Sequence, residues 1–293
     1  MVLESILDPA KAEKKPHYMI ILGFILTLLG ALIGYRFFPS QASMIVVAFI
    51  AIGATPLMYR IIKHEEQKDL QDLPQRILLE EHWKALKAFM YLFLGITLAT
   101  ALLYIVLPLG VETKVFETQH QEFERITRGT PTAQVTQEQI TTRESNMQRF
   151  TRIFFNNITV LLIAIVFSFI YGAGAIFVLT WNATVIGVAI GYFIRHNIAL
   201  YAEQAGLTKI ANYFAVISIG LTQYLIHGFF EILGFFVGAL AGGIISVAII
   251  RHDLQTAKFE HIILDAADLL LIAVGLIFFA AILEVWITPL IFS

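Results

Sequence analysis

Long apolar runs, each about the length of a membrane crossing, alternate with short polar stretches along this chain. A bilayer core of about 30 Å takes roughly 20 residues of helix. Residues 18–36 and 42–62 therefore predict the first two spans, joined by the turn FPSQAS. Pro56 predicts a kink in the second. The charged stretch KHEEQKDLQDLPQRILLEEHWK follows. From Pro74 onward it places Leu79, Trp83 and Leu86 near one helical face, which predicts an interfacial helix running into a third span at about 85–109. Pro108 and Gly110 close that span.

Residues 110–152 are the long polar segment, with six acidic residues and six Lys/Arg. Val115, Phe116, Phe123 and Ile126 predict a weakly amphipathic helix within it, and RGTPTAQVTQEQITT reads as a linker. The segment is too short and polar for a core of its own, so it is expected to form a small helical cap. A fourth span is predicted at about 154–180 and a fifth at about 182–201, with a turn at Trp181-Asn182 between them. Residues 207–220 are apolar but too short to cross alone, which predicts a re-entrant or interfacial segment. A sixth span follows at about 222–250 and a seventh at about 267–290, stopped by Thr288-Pro289. The expected fold is an all-α polytopic transmembrane bundle of about seven spans plus one re-entrant or interfacial helix. It is organised as a two-span extension at 1–62, a cytoplasmic amphipathic segment at 63–84, and a membrane core at 85–293 carrying the 110–152 loop.

Composition agrees: 58% of the 293 residues are hydrophobic and 14% are charged, against roughly 25% charged in an average soluble domain. A net charge of −2 draws no nucleic acid. The absence of cysteine excludes disulfides and thiolate metal sites. The first apolar run ends without a small-residue cleavage site and reads as a retained span. Eleven of the twenty Lys/Arg fall on one side if the N-terminus is cytoplasmic: Lys11, Lys14, Lys15, Arg60, Lys63, Lys68, Arg76, Lys84, Lys87, Arg251 and Lys258. That majority places the 110–152 loop and the C-terminus outside a multi-pass cell-membrane protein.

Two patterns inside the spans invite a chemical reading. Gly234, Gly238 and Gly242 share a helix face at four-residue spacing, as do Gly187 and Gly191, and Gly30 and Gly34. Helices in lipid associate by close backbone approach, so the fifth and sixth spans are expected to cross closely through their glycines. Glycine is also simply frequent in membrane helices. The second pattern is a level of polar residues towards the outer side: Asn156 and Asn157 on span four, Arg195 on span five, Gln223, His227 and Glu231 on span six, and Glu284 on span seven. Charge facing lipid costs a few kcal/mol or more, so these groups should turn inward, with Arg195 pairing Glu231 or Glu284. Such a cluster is either a structural polar knot that fixes helix register or a cavity for a ligand or partner segment. One histidine with carboxylates is a weak metal signature. No Gly-x-Ser-x-Gly elbow or phosphate-cradling loop is present. His82, His196, His252 and His261 lie at predicted helix ends or in loops, where solvation is expected.

Three stretches carry a resemblance: NNITVLLIAIVFSFIYGAGAIFVLTWNATVIGVAIGYFI, YLIHGFFEILGFFVGALAGGIIS and AAILEVWITPLIF. Their order and spacing resemble the stage II sporulation protein M family over about 85–293. The matching marks are the Asn156-Asn157 pair, Gly172 and Gly174, Asn182 followed by Gly187, the His-Gly-x-x-Glu stretch at 227–231, and Glu-x-x-x-Thr-Pro at 284–289. The two spans at 18–62 resemble the longer versions seen in archaea. The resemblance implies a polytopic, non-enzymatic scaffold; the family's namesake assembles with peptidoglycan-degrading partners at the septum during engulfment of the forespore. It places His227, Glu231 and Glu284 on family landmarks. The expected function is thus a membrane scaffold with no cofactor, no bound metal and no catalytic residues. It would contact the bilayer and envelope proteins and self-associate. The alternative is a transporter or channel-like protein with its site between spans four to seven and the 207–220 segment as a gate.

Overall fold

In hydrocarbon a backbone N–H or C=O has no water to bond, so each crossing segment must close its hydrogen bonds within itself. The computed structural model describes residues 12, 15–69, 75–128, 145–171, 175–200, 206–250 and 257–292, and there the chain does this with helices throughout. They are α1 (His17–Phe37), α2 (Ala42–Asp69), α3 (Gln75–Val106), α4 (Val111–Val115), α5 (Glu117–Arg128), α6 (Asn146–Tyr171), α7 (Ala175–Leu200), α8 (Gly206–Ile250) and α9 (Ala257–Ile282). A π-helical turn (Leu283–Ile287) continues α9 into α10 (Thr288–Phe292). Among the described residues, seven helices are long and apolar enough to cross a membrane. The fold is the all-α polytopic bundle expected.

The helix that carries the opening His-x-x-x-Glu of the sixth span is the axis of the bundle. Within Gly228–Ile250 of α8 the most apolar 18 residues are 89% buried, against 22% for those within Asn146–Phe169 of α6. α8 packs most heavily on α9 and α6, then on α7, α2 and α3. Phe236 meets Phe89 and Phe93 of α3 at ring separations of 5.9 Å. The first two spans share this apolar cluster through residues such as Val46, Ile50, Leu57 and Ile61.

Three boundaries differ from expectation. Residues 207–220 form no re-entrant turn; they are the beginning of α8, a continuous helix of 45 residues and about 67 Å. An apolar run too short to cross needs no turn of its own when it extends a neighbouring span. The break between spans four and five is not at Trp181-Asn182, since α6 ends at Tyr171 and α7 begins at Ala175. Asn182 sits inside α7, where its side-chain amide donates to the carbonyl of Val178 at 2.9 Å. A polar residue satisfied by its own helix does not end it. Thr288-Pro289 does not stop the last span either. Proline has no N–H for the preceding turn, and the helix absorbs this by widening: the N–H of Thr288 reaches back to the carbonyl of Leu283.

The glycine rows are contact faces, but not for each other. A Cβ on Gly187 would lie 2.8 Å from the carbonyl oxygen of Thr97, and one on Gly191 would lie 3.0 Å from that of Ala101, so this row lies against α3. Gly234 faces Ala273 and Ile277 of α9, whereas Gly238 and Gly242 receive Leu161 and Ile165 of α6. The expected glycine-to-glycine crossing of spans five and six is not made, because each row accepts a bulky ridge from a third helix. Gly30 and Gly34 receive Val46 and Ala42 of α2.

The polar segment is a cap in part. Gly110, with φ +84°, turns the chain back after α3. Phe116 is then fully buried and Val115 nearly so, plugging the bundle end. Gln119 donates to the backbone carbonyl of Ser43 at 3.2 Å, which ties α5 to the start of α2. The side chain of Ile126 and the linker at 129–144 lie outside the described residues. Beyond them, Ser145 and Gln148 cap α6 reciprocally: each side chain bonds the other's backbone N–H, at 3.2 and 2.9 Å.

Candidate functional site

The side of the bundle that carries α4 and α5 is called the loop side here. Two separate polar clusters lie at this end. The first joins α6, α8 and the π turn. Asn157 is buried and donates a hydrogen bond to the carboxylate of Glu231, on which the charge of Glu284 also acts. Asn156 in turn donates to the side-chain oxygen of Asn157 at 3.4 Å, which orients the amide. Around them the surface is aromatic: Phe150 and Phe154 are stacked at 5.8 Å, and Phe278 and Trp286 lie within 5.5 Å of Phe150. Ile153, Ala281 and Val285 close a small apolar core beside them.

The widened turn sets the position of Glu284. In an α-helix its carbonyl would accept the N–H of residue 288, but that group bonds Leu283. In a π pattern the donor would be residue 289, which is proline. The carbonyl of Glu284 is therefore left without a helical donor of its own. Such single-turn widenings recur at functional sites in helices.

The second cluster holds Arg195, and it is not the one expected. Arg195 donates to the backbone carbonyls of Tyr104 and Leu107 at 2.9 and 3.0 Å, and lies 3.6 Å from Glu112. The expected pairing with Glu231 or Glu284 is not made. Gly191, one turn before Arg195, seats α7 on Tyr104, and this rotation turns the guanidinium to the end of α3. There it meets a real need. The carbonyl of Tyr104 would take the N–H of residue 108, which is proline, so Arg195 supplies the missing donor. The Tyr104 hydroxyl is 2.9 Å from Nδ1 of His120, whose Nε2 is 3.2 Å from Glu124. On the outer face of α5, Arg125 holds Glu122 below the usual carboxylate range through a hydrogen bond. What that pair adds is present at neutral pH and is lost as acid protonates Glu122, and its exposure keeps it small.

Thus three of the six expected cluster residues come together, Asn157, Glu231 and Glu284. Arg195 is elsewhere, and the side chains of Gln223 and His227 lie outside the described residues, as do Gly172, Gly174 and His252. Of the histidines expected to be solvated, His261 is exposed and pairs with Asp265 at 3.2 Å, and His196 stacks on Tyr192. His82 is the correction. It is 3% exposed, with Nδ1 2.8 Å from Glu65, itself 0% exposed, at the far end of the bundle from the loop. The face of α3 that buries Ala85, Leu86 and Phe89 carries His82 inward with it. Because each partner leaves the other buried without its bond, His82→Ala and Glu65→Ala should not add: a coupling of about 1–3 kcal/mol is expected in a double-mutant cycle. Thermal unfolding in detergent measures it, and additive losses would contradict the pair.

Sequence reasoning missed Glu112, Tyr104, His120, Glu65 and His82. Their partners are set by packing between helices far apart in the chain, and no local spacing announces them. Chemically, the loop-side clusters offer charge-assisted hydrogen bonds and paired carboxylates. Among the described residues no group of three His, Cys, Asp or Glu side chains has a geometry that could hold a metal ion.

Neither a curated protein nor a solved structure matches the chain. The family model described as Stage II sporulation protein M matches residues 19–289, which takes in α1 and α2 as well as the stretch after residue 85. A match over nearly the whole length, on a polytopic helical bundle, makes this chain a member of the stage II sporulation protein M family.

Proposed function

We propose that this protein is a non-enzymatic membrane scaffold whose loop-side end, outside the cell, holds partner proteins of the envelope. The observation that carries this reading is the packed centre. From Ile232 to Ile244 the axial helix α8 is buried at every position, with Leu161 and Ile165 of α6 filling the notches at Gly238 and Gly242. A body filled in this way is suited to presenting a fixed surface. The cap formed by α4 and α5 is anchored through Phe116, Gln119 and the Arg195–Glu112 pair, so the exposed face of α5 is held in one orientation. The second reading is transport, favoured by the acidic pair Glu231 and Glu284 at membrane depth.

The chain has no cysteine, so single cysteines report cleanly. Gln121→Cys on α5 should react with a membrane-impermeant maleimide in intact cells, and His64→Cys only after permeabilisation. The reverse pattern would overturn the orientation. A photo-crosslinker at Gln121 should capture envelope proteins, and copies of this chain if it self-associates, whereas one at His64 should not. Ion flux through proteoliposomes of the pure protein, abolished by Glu284→Gln, with no crosslink at Gln121, would replace the scaffold with a transporter.

A further inference from the structure

We propose that Glu231, Glu284 and Thr288 hold one hard divalent cation of the calcium type at the loop-side end of the bundle. This goes beyond the scaffold reading and does not depend on it. Three features converge. The first is charge: the charged group acting on Glu231 is Glu284, both are partly buried, and two like charges held within reach of each other call for a counter-charge. Arg195 does not supply it, being committed to Glu112 and the end of α3.

The second feature is an unmet hydroxyl. Thr288 is 9% exposed, and its Oγ1 is buried with no hydrogen-bond partner. A threonine in a helix ordinarily bonds the carbonyl four residues back, as Thr222, Thr151 and Thr159 do here at 2.7–2.8 Å. For Thr288 that carbonyl belongs to Glu284, and the bond is not made. The hydroxyl and the Glu284 side chain share a helix face, four residues apart. Both the π turn and α10 pack on α8, the helix that carries Glu231. The third feature is the Glu284 carbonyl, which Pro289 deprives of its donor.

The donors are all oxygen: two carboxylates, a hydroxyl and a backbone carbonyl. That set suits hard cations, and two negative charges balance a divalent one. Calcium tolerates the irregular geometry of a widened helical turn, whereas magnesium demands a near-ideal octahedron. Asn157, donating to Glu231, would act as a positioning residue for one carboxylate.

The test uses the full chain in detergent or nanodiscs, stripped with a chelator and titrated with calcium chloride by calorimetry and by thermal unfolding. One saturable calcium per chain and a raised unfolding temperature are expected. Glu231→Gln and Glu284→Gln should abolish both effects, and the surface variant Glu122→Gln should keep them. Pro289→Ala returns an N–H to the Glu284 carbonyl while leaving both carboxylates, and should weaken binding by roughly tenfold or more. If the glutamine variants fail to fold, the native titration and Pro289→Ala decide. No saturable binding, binding that survives Glu284→Gln, or a stability that follows pH alone with calcium inert would overturn the proposal. The last result would mean that a proton neutralises the pair.

Discussion

Leucine in place of Gly95 is expected to prevent assembly of the bundle. A Cβ at this position lands on the carbonyl oxygen of Ile20 in α1 and lies 2.8 Å from its Cα. The approach is reciprocal, because a Cβ on Gly23 of α1 would lie 2.5 Å from the carbonyl oxygen of Leu92 and 3.0 Å from the nitrogen of Ile96 in α3. Overpacking usually costs about 1–3 kcal/mol because side chains give way. Here the obstruction is backbone, and two spans would have to separate along their contact. The loss should exceed the upper end of that range. Size-exclusion chromatography in detergent should show aggregate in place of a monodisperse peak. Gly275→Leu is the control, since nothing lies within 4 Å of a Cβ there. Equal behaviour of the two variants would mean that α1 and α3 do not cross as described.

Replacing Arg195 by methionine should be the second large loss, about 3–5 kcal/mol. The methionine fills similar space but removes the donor to the carbonyls of Tyr104 and Leu107 and leaves Glu112 buried without its cation. Adding Glu112→Gln to Arg195→Met should recover part of the loss, because a buried amide needs no counter-charge. Denaturant or thermal unfolding of the four-member cycle reads this out. A single Arg195→Met variant within about 0.5 kcal/mol of the native protein would show the clamp to be incidental.

The seven crossings were legible because the cause of a membrane helix is local. Twenty apolar residues in hydrocarbon have no alternative to closing their own hydrogen bonds, whatever their neighbours are. The level of the polar groups was legible for the same reason: Asn157, Arg195, Glu231 and Glu284 fall towards the loop side by counting residues from the span ends. Turns were less legible. Trp181-Asn182 and Thr288-Pro289 look like breaks by residue type, yet one amide bonds its own helix and one proline is absorbed by a wider turn.

Partners were not legible. Gly23 and Gly95, which make the tightest backbone approach between α1 and α3, carry no spacing that separates them from other glycines. The four-residue rows at Gly187–Gly191 and Gly234–Gly242 announce close contacts correctly but not with whom. His82 and Glu65 read as two charges in a polar stretch, and only the pairing of α2 with α3 buries them together.

By itself, then, the sequence determined a helical multi-pass membrane protein with seven helices long and apolar enough to cross, and towards which end of its helix each of these polar groups lies. The tertiary structure decided which groups meet. Each residue turns a helix by about 100°, so a small rotation of one span changes every partner on its face while leaving its length, hydropathy and depth untouched. Arg195 shows the consequence: its depth suited Glu231, and the seating of Gly191 on Tyr104 gave it to Glu112.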